Sequence, residues 1–303
     1  MAELIVDEPC LLGENPLWHS GQRRLYWTDI VGGRLFSYDP ASQRHECVYE
    51  GEPVSGFTIQ RDGSLLLFMT RGSVKVLSIA TGGLRTALDP DVWFGESPQW
   101  RGDSAAAYDV RDHLLNDVIA DESGRVFVGV LPVTQGMGGV YSLDSGGKAR
   151  LAAGGILGSN GLAFTRDRRH LLCTDSSPSA RRIYRYAYDV TSGRLSRRSV
   201  LVALPRNEPG LPDGLTVDAD GYAWSARWDG GCIVRYCPEG AVDRRVELPV
   251  SRVTSVAFGG VDYRDMYITT ASFGIAPEPG AGGLFRLRAG GKGRPEFRSD
   301  IRI

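Results

Sequence analysis

The sequence predicts an all-β fold, a six-bladed β-propeller with four-stranded blades. Three observations predict it. The 303-residue chain has 39 glycines, 16 prolines, many Tyr, Trp and Val, and almost no stretch with a helical apolar period. Turn clusters such as "RDGS", "ESGR" and "DADGY" punctuate it repeatedly. One segment plan also recurs six times: a polar residue, an alternating strand, a turn rich in Asp, Gly or Arg, then an apolar second strand.

The first copy is "ENPLWHSGQRRLYWTDI" from Glu14, followed by a third strand "GGRLFSYD" and an outer fourth "HECVYE". Leu11, Leu12, Pro16, Leu17 and Trp18, around the lone carboxylate, are expected in the core. The second copy, "SGFTIQRDGSLLLFMT" from Ser55, continues with "GSVKVLSI" and "LRTAL". The third, "NDVIADESGRVFVGVL" from Asn116, continues with "GGVYSLD" and "ARLAA". The fourth, "NGLAFTRDRRHLLCTDS" from Asn160, continues with "RRIYRYAYD" and "RRSVLVAL". The fifth, "DGLTVDADGYAWSARW" from Asp213, continues with "GCIVRYC" and "VDRRVELP". The sixth, "TSVAFGGVDYRDMYITT" from Thr254, ends with "GGLFRLR". The N-terminal "ELIVDE" is expected to supply its missing outer strand and close the ring, which leaves only short, protected edges.

Period-two alternation marks a strand with two distinct faces, and a turn followed by a second apolar run makes a hairpin. The spacings between starts are 41, 61, 44, 53 and 41 residues, and a four-stranded blade takes about 40–50. The expectation is one propeller domain over residues 1–303. A β-sandwich is the alternative, but it needs no six polar starts in register. The longest insertion, "DPDVWFGESPQWRGDSAAAYDVRDH", is expected as a loop over one mouth of the channel.

Charge and cysteine content narrow the partners. Thirty-five basic and 36 acidic residues give a net charge of −1, without the basic surplus of a nucleic-acid binder. The pairs Arg181-Arg182, Arg197-Arg198 and Arg244-Arg245 read as solvated strand edges. Five cysteines without a CxxC pair read as reduced thiols. No signal peptide and no apolar run of about 20 residues is seen. The expected partner is a small-molecule substrate, with neither nucleic acid nor membrane. The expected state is a cytoplasmic monomer or weak homo-oligomer.

In a propeller the innermost strand of each blade lines the channel. Equivalent starts then place Glu14, Ser55, Asn116, Asn160, Asp213 and Thr254 in a ring at one mouth. Every member offers oxygen, and none is Lys, Arg, His or Cys. Hard divalent cations take such a set. Glu14 and Asp213 match a 2+ charge; without one they would repel each other and resist burial. For Ser55 and Thr254 the reading is plainer: each caps its strand or feeds a turn. "PDG" by itself would also suit a turn.

At these residues the chain resembles the SMP-30/gluconolactonase/luciferin-regenerating-enzyme family. The matching stretches are "GENPLW", "LYWTDI", "LLND", "SNGLAF", "LLCTDS", "LPDGLTVDADGYAW" and "TSVAFGG…DMYITT". The resemblance implies a six-bladed propeller hydrolysing sugar-acid lactones with one divalent metal, Ca²⁺ first, with Zn²⁺, Mn²⁺ or Mg²⁺ as alternatives. It implies Glu14, Asn160 and Asp213 as metal ligands, Asp213 as proton donor and acceptor, and Asn116 beside the metal in contact with substrate. Three positions depart from the family. Leu114 stands where sugar lactonases carry Arg, with Val118 for Gly, and Thr134 aligns near the expected substrate-binding Glu. Leu114 therefore suggests a less polar substrate or recognition by other groups; Arg111, His113 and Gln135 are near in sequence.

No GxSxG elbow, HExxH helix or phosphate loop occurs. Three classes follow: a metal-dependent lactonase, a phosphotriester or ester hydrolase of the same fold, and a non-enzymatic calcium-binding or interaction propeller.

Overall fold

A computed structural model describes residues 2–93, 115–132, 138–288 and 290–303. Six four-stranded antiparallel sheets form the blades of a propeller. The innermost strands are β2 (Gly13–His19), β6 (Val54–Ile59), β10 (Leu115–Ala120), β14 (Ser159–Phe164), β18 (Leu211–Val217) and β22 (Val253–Gly259). Each packs on the next, and β22 packs back on β2. The N-terminal strand β1 (Glu3–Val6) pairs with β24 (Leu284–Arg288) and completes the sixth blade. The predicted closure is therefore present.

The core lies between blades. Leu17, Tyr26 and Leu35 of the first blade meet Val54, Phe57 and Leu67 of the second, and Trp224 and Ile233 of the fifth meet Val256 and Phe258 of the sixth. The expected core around Glu14 needs one correction. Leu17 and Trp18 are buried, but Leu11 is exposed and Leu12 half-buried, because both precede the strand at the channel mouth. The arginine pairs 197–198 and 244–245 stand on the outer strands β17 (Leu195–Ala203) and β21 (Val242–Glu247).

Strict alternation does not run through the polar starts. All six inner strands shift register there, at Glu14/Leu17, Val54/Gly56, Leu115/Val118, Asn160/Leu162, Pro212/Leu215 and Val253/Ser255. A bulge places two residues against one and re-aims the side chain. Two of the glycines that follow are there for space. A Cβ on Gly161 would lie 2.5 Å from Asp213 O, and one on Gly214 would lie 2.2 Å from Ser255 Oγ. Pro212-Asp213-Gly214 is thus strand, and its glycine serves close approach between blades.

Three of the polar starts and two second-strand threonines also lace the ring together. Thr28 Oγ1 donates to Val54 O, Ser55 Oγ to Leu115 O, Asn116 Nδ2 to Ser159 O, Thr174 Oγ1 to Asp213 O and Thr254 Oγ1 to Gly13 O. Ser55 and Thr254 therefore tie neighbouring blades, where a strand cap or a turn was expected.

Residues 290–303 cross the opposite face. Their backbone bonds to Ala219, Tyr263, Ile59, Gly124 and Ser145, and Arg294 donates to Phe164 O and Arg166 O. Nothing in the repeat pattern anticipated this strap. The expected loop over the channel begins with a 3-10 turn, Pro90–Val92, and the buried Trp93, whose Nε1 donates to Gly72 O. The rest of that insertion lies outside the described residues, as do Arg111, His113, Leu114, Thr134 and Gln135.

Candidate active site

Four of the six starts share one cavity. Glu14, Asn116, Asn160 and Asp213 line a space of about 290 Å³ at the mouth of the channel. Their blades alternate polar floor with mixed walls: Leu12, Ile30, Leu131, Leu211 and Trp228 are apolar, while Ser176 and Ser177 bring hydroxyls.

The loops leading to the floor are held by two carboxylates from second strands. Asp29 accepts from Leu12 N at 2.9 Å and Gly32 N at 3.1 Å. Asp175 accepts from Gly158 N at 3.0 Å and Ser177 N at 3.1 Å. These are the Asp residues of "LYWTDI" and "LLCTDS". They fix the approach to Glu14 and Asn160, so the two aspartates position the site without lining it, while the last residues of the same motifs, Ile30 and Ser176, stand in its wall.

Glu14 is 5% exposed and Asp213 3%. Among the described residues, Glu14 Oε2 accepts only from its neighbour Asn15 N, at 3.1 Å. Asp213 Oδ1 is buried with no hydrogen-bond partner among the described residues. Burial pushes the Glu14 carboxyl well above the usual carboxylate range, and the Asp213 and Asp117 charges add to it. Burial does the same to Asp213, again with Asp117 adding. Asn160 Oδ1 accepts from Gly161 N at 3.0 Å, and Asn116 commits its nitrogen to Ser159 O, which leaves the Asn116 amide oxygen for the cavity. Two buried carboxylates and two amides thus converge with no cationic side chain among the described lining residues. No three His, Cys, Asp or Glu side chains among the described residues gather closely enough to hold a metal; any cation here must draw on amide oxygen as well.

Asp117 is the charged group the sequence reading passed over. It is 7% exposed, and no side-chain hydrogen bond to it is found among the described residues. Burial pushes it up to about 7. It faces a small cavity of about 50 Å³ deeper in the channel, with Thr58, Thr216, Ser255 and Glu296 of the C-terminal strap. Its signal was its place beside Asn116: the register shift between Leu115 and Val118 breaks the alternation there, and both neighbours turn toward the channel. Ile30, Leu131, Ser176 and Trp228 were also missed. Each stands fifteen or sixteen residues beyond a ring member, at the end of a second strand, so one repeat register would have found all four.

Comparison with known proteins agrees with this architecture. The model of the SMP-30/Gluconolactonase/LRE-like region matches residues 12–272. The chain belongs to this family. Pentonolactonase XacC of Haloferax volcanii is 44% identical over 308 residues, covering 99% of this chain and 98% of the relative. The 6-deoxy-6-sulfogluconolactonase of Pseudomonas putida is 31% identical over 269 residues, covering 88% and 86%. The calcium-binding protein regucalcin from Agrobacterium tumefaciens superposes with a TM-score of 0.84 at 23% identity, covering 100% of this chain and 98% of that one. That structural likeness carries the fold. Among the described residues, no helix of this SMP-30/gluconolactonase-family chain is long and apolar enough to cross a membrane.

Proposed function

We propose that this protein is a divalent-cation-dependent lactonase that opens sugar-acid lactones, with pentonolactones as the first class to test. The observation that carries this reading is the buried pair Glu14 and Asp213, with Asp213 Oδ1 unpartnered among the described residues, on the floor of a sugar-sized cavity. Full-length similarity to a pentonolactonase supports the substrate class.

The residues fit a hard cation. Glu14, Asn160 and Asp213 would hold it, because two desolvated carboxylates lose their mutual repulsion against a 2+ charge and an amide oxygen adds a neutral donor. Once bound, such a cation polarises a lactone carbonyl and acidifies a water. Asp213 takes the proton from the attacking water and returns it to the ring oxygen as the acyl C–O bond breaks, which yields the open hydroxy acid. Asn116, fixed by Ser159 O, offers its amide oxygen to a substrate hydroxyl. Leu12, Ile30, Leu131 and Leu211 exclude bulk water from the walls.

Those same apolar walls favour a second reading, a hydrolase of apolar lactones, esters or phosphotriesters. The test is turnover by metal-stripped protein with Ca²⁺, Mn²⁺, Zn²⁺ or Mg²⁺ restored singly. The panel holds pentono- and hexonolactones, apolar lactones and a phosphotriester. Cation-dependent opening of sugar lactones is the expected result. Silence on sugars with turnover of the apolar substrates transfers the assignment to the second reading. Silence on all, with tight cation binding, leaves a calcium-binding propeller.

A further inference from the structure

Trp228 closes β19 (Ala223–Trp228) and pairs across the sheet with Leu211, two residues before Asp213. Its indole borders the cavity that Asp213 floors. One face of the ring is covered from behind: the Arg252 guanidinium carbon stands 4.4 Å from the ring centroid. Arg252 is itself held twice. Its Nε donates to Asp229 Oδ1 at 2.7 Å, and its Nη1 to the Phe273 carbonyl. Such a cation over an indole face is attracted by the ring quadrupole. The clamp therefore fixes a large flat side chain that would otherwise swing at a channel mouth.

The rest of the wall gives this plate a purpose. In the six-membered ring the first and fourth blades face each other across the channel. The first contributes Leu12 and Ile30; the fourth contributes Ser176 and Ser177. Ser176 Oγ donates to Pro212 O at 2.6 Å, so its lone pairs are left to accept. The lining is thus divided by chemistry: Leu12, Ile30, Leu131, Leu211 and Trp228 give apolar surface, and Asn116, Asn160, Ser176 and Ser177 give polar groups among them. A cyclic polyol has the same division, with C–H bonds on the ring face and hydroxyls on the edge. Small-ligand sites work in this way, with apolar surface for area and a few polar groups for orientation.

We propose that Trp228, clamped by Arg252, is the specificity-determining platform of this site. It receives the C–H face of a lactone ring and turns the edge hydroxyls toward Asn116 and Ser176. The proposal rests on the lactonase reading and names the group that selects ring-shaped polyols where the family's Arg is replaced by Leu114.

The experiment compares Trp228→Ala, Trp228→Phe and Arg252→Met with the wild-type holoenzyme on a pentonolactone, reading KM and kcat separately. Trp228→Ala should raise KM about tenfold, the size of a lost aromatic contact, with most of the loss of kcat/KM falling on KM. Trp228→Phe should restore most of it, and Arg252→Met should give an intermediate rise. Cation affinity measured by calorimetry should be unchanged in all three. An active wild type whose KM does not move in Trp228→Ala overturns the platform and leaves the lactonase reading standing. A rise in KM that Phe does not rescue, or a parallel loss of cation affinity, shows a merely structural role and also overturns it. A wild type silent on every lactone removes the lactonase reading and the platform with it.

Discussion

Asp213→Asn separates charge from shape at the floor of the channel. The substitution keeps the size of a side chain that is 3% exposed and removes one of three carboxylates that burial brings together, Glu14, Asp117 and Asp213. In the cation-free protein it should therefore raise the melting temperature, because like charges in a dry site repel. With cation present the order should invert. A ligand at a hundredfold its Kd stabilises the native state by about 2.7 kcal/mol. Unfolding entropy of about 2.1 cal/mol/K per residue gives about 0.6 kcal/mol/K for 303 residues. The wild type should then melt about 4 °C higher with saturating Ca²⁺ than without it. Asp213→Asn should lose most of that rise. Scanning calorimetry of chelator-treated protein, titrated with each cation, measures both effects. An equal cation-induced rise in the variant would refute the assignment of Asp213 as a ligand. A cation-free variant several degrees less stable than wild type would refute the repulsion argument.

Three further outcomes are expected. Glu14→Gln should abolish lactone turnover while circular dichroism stays native, and near-normal turnover would sink its role. Asp117→Asn should weaken cation affinity by about tenfold, as the loss of one nearby negative charge at about 1.4 kcal/mol, while raising cation-free stability; calorimetric titration and melting check the pair. Gly214→Ala places a Cβ 2.2 Å from Ser255 Oγ and 2.7 Å from Ser255 Cα, and overpacking of this kind costs about 1–3 kcal/mol. Melting should fall by about 2–5 °C, and activity should fall with it because Asp213 is the adjacent residue; unchanged melting would mean that the two inner strands part freely.

The ring of repeats was legible because a strand writes its faces into the chain every second residue. That period, with the six polar starts, was enough to give the blades, the N-terminal closing strand and the shared placement of Glu14, Asn116, Asn160 and Asp213. It was also enough to separate Ser55 and Thr254, whose hydroxyls lace blades together. What it could not carry was distance across the channel. Asp117 differs from other strand-interior acids only because the blades carrying Glu14 and Asp213 converge on it. Gly214 suits a turn in "PDG" until the neighbouring blade is seen to leave no room for a Cβ, and nothing marks Gly161 before that same crowding is seen. The strap over residues 290–303 obeys no repeat, and its bonds go to turns far apart in sequence. Trp228 reads as one more aromatic strand end until Arg252, from the next blade, is found behind it. Sequence periodicity fixes which way a residue points within its own blade; only closure of the ring decides what it meets.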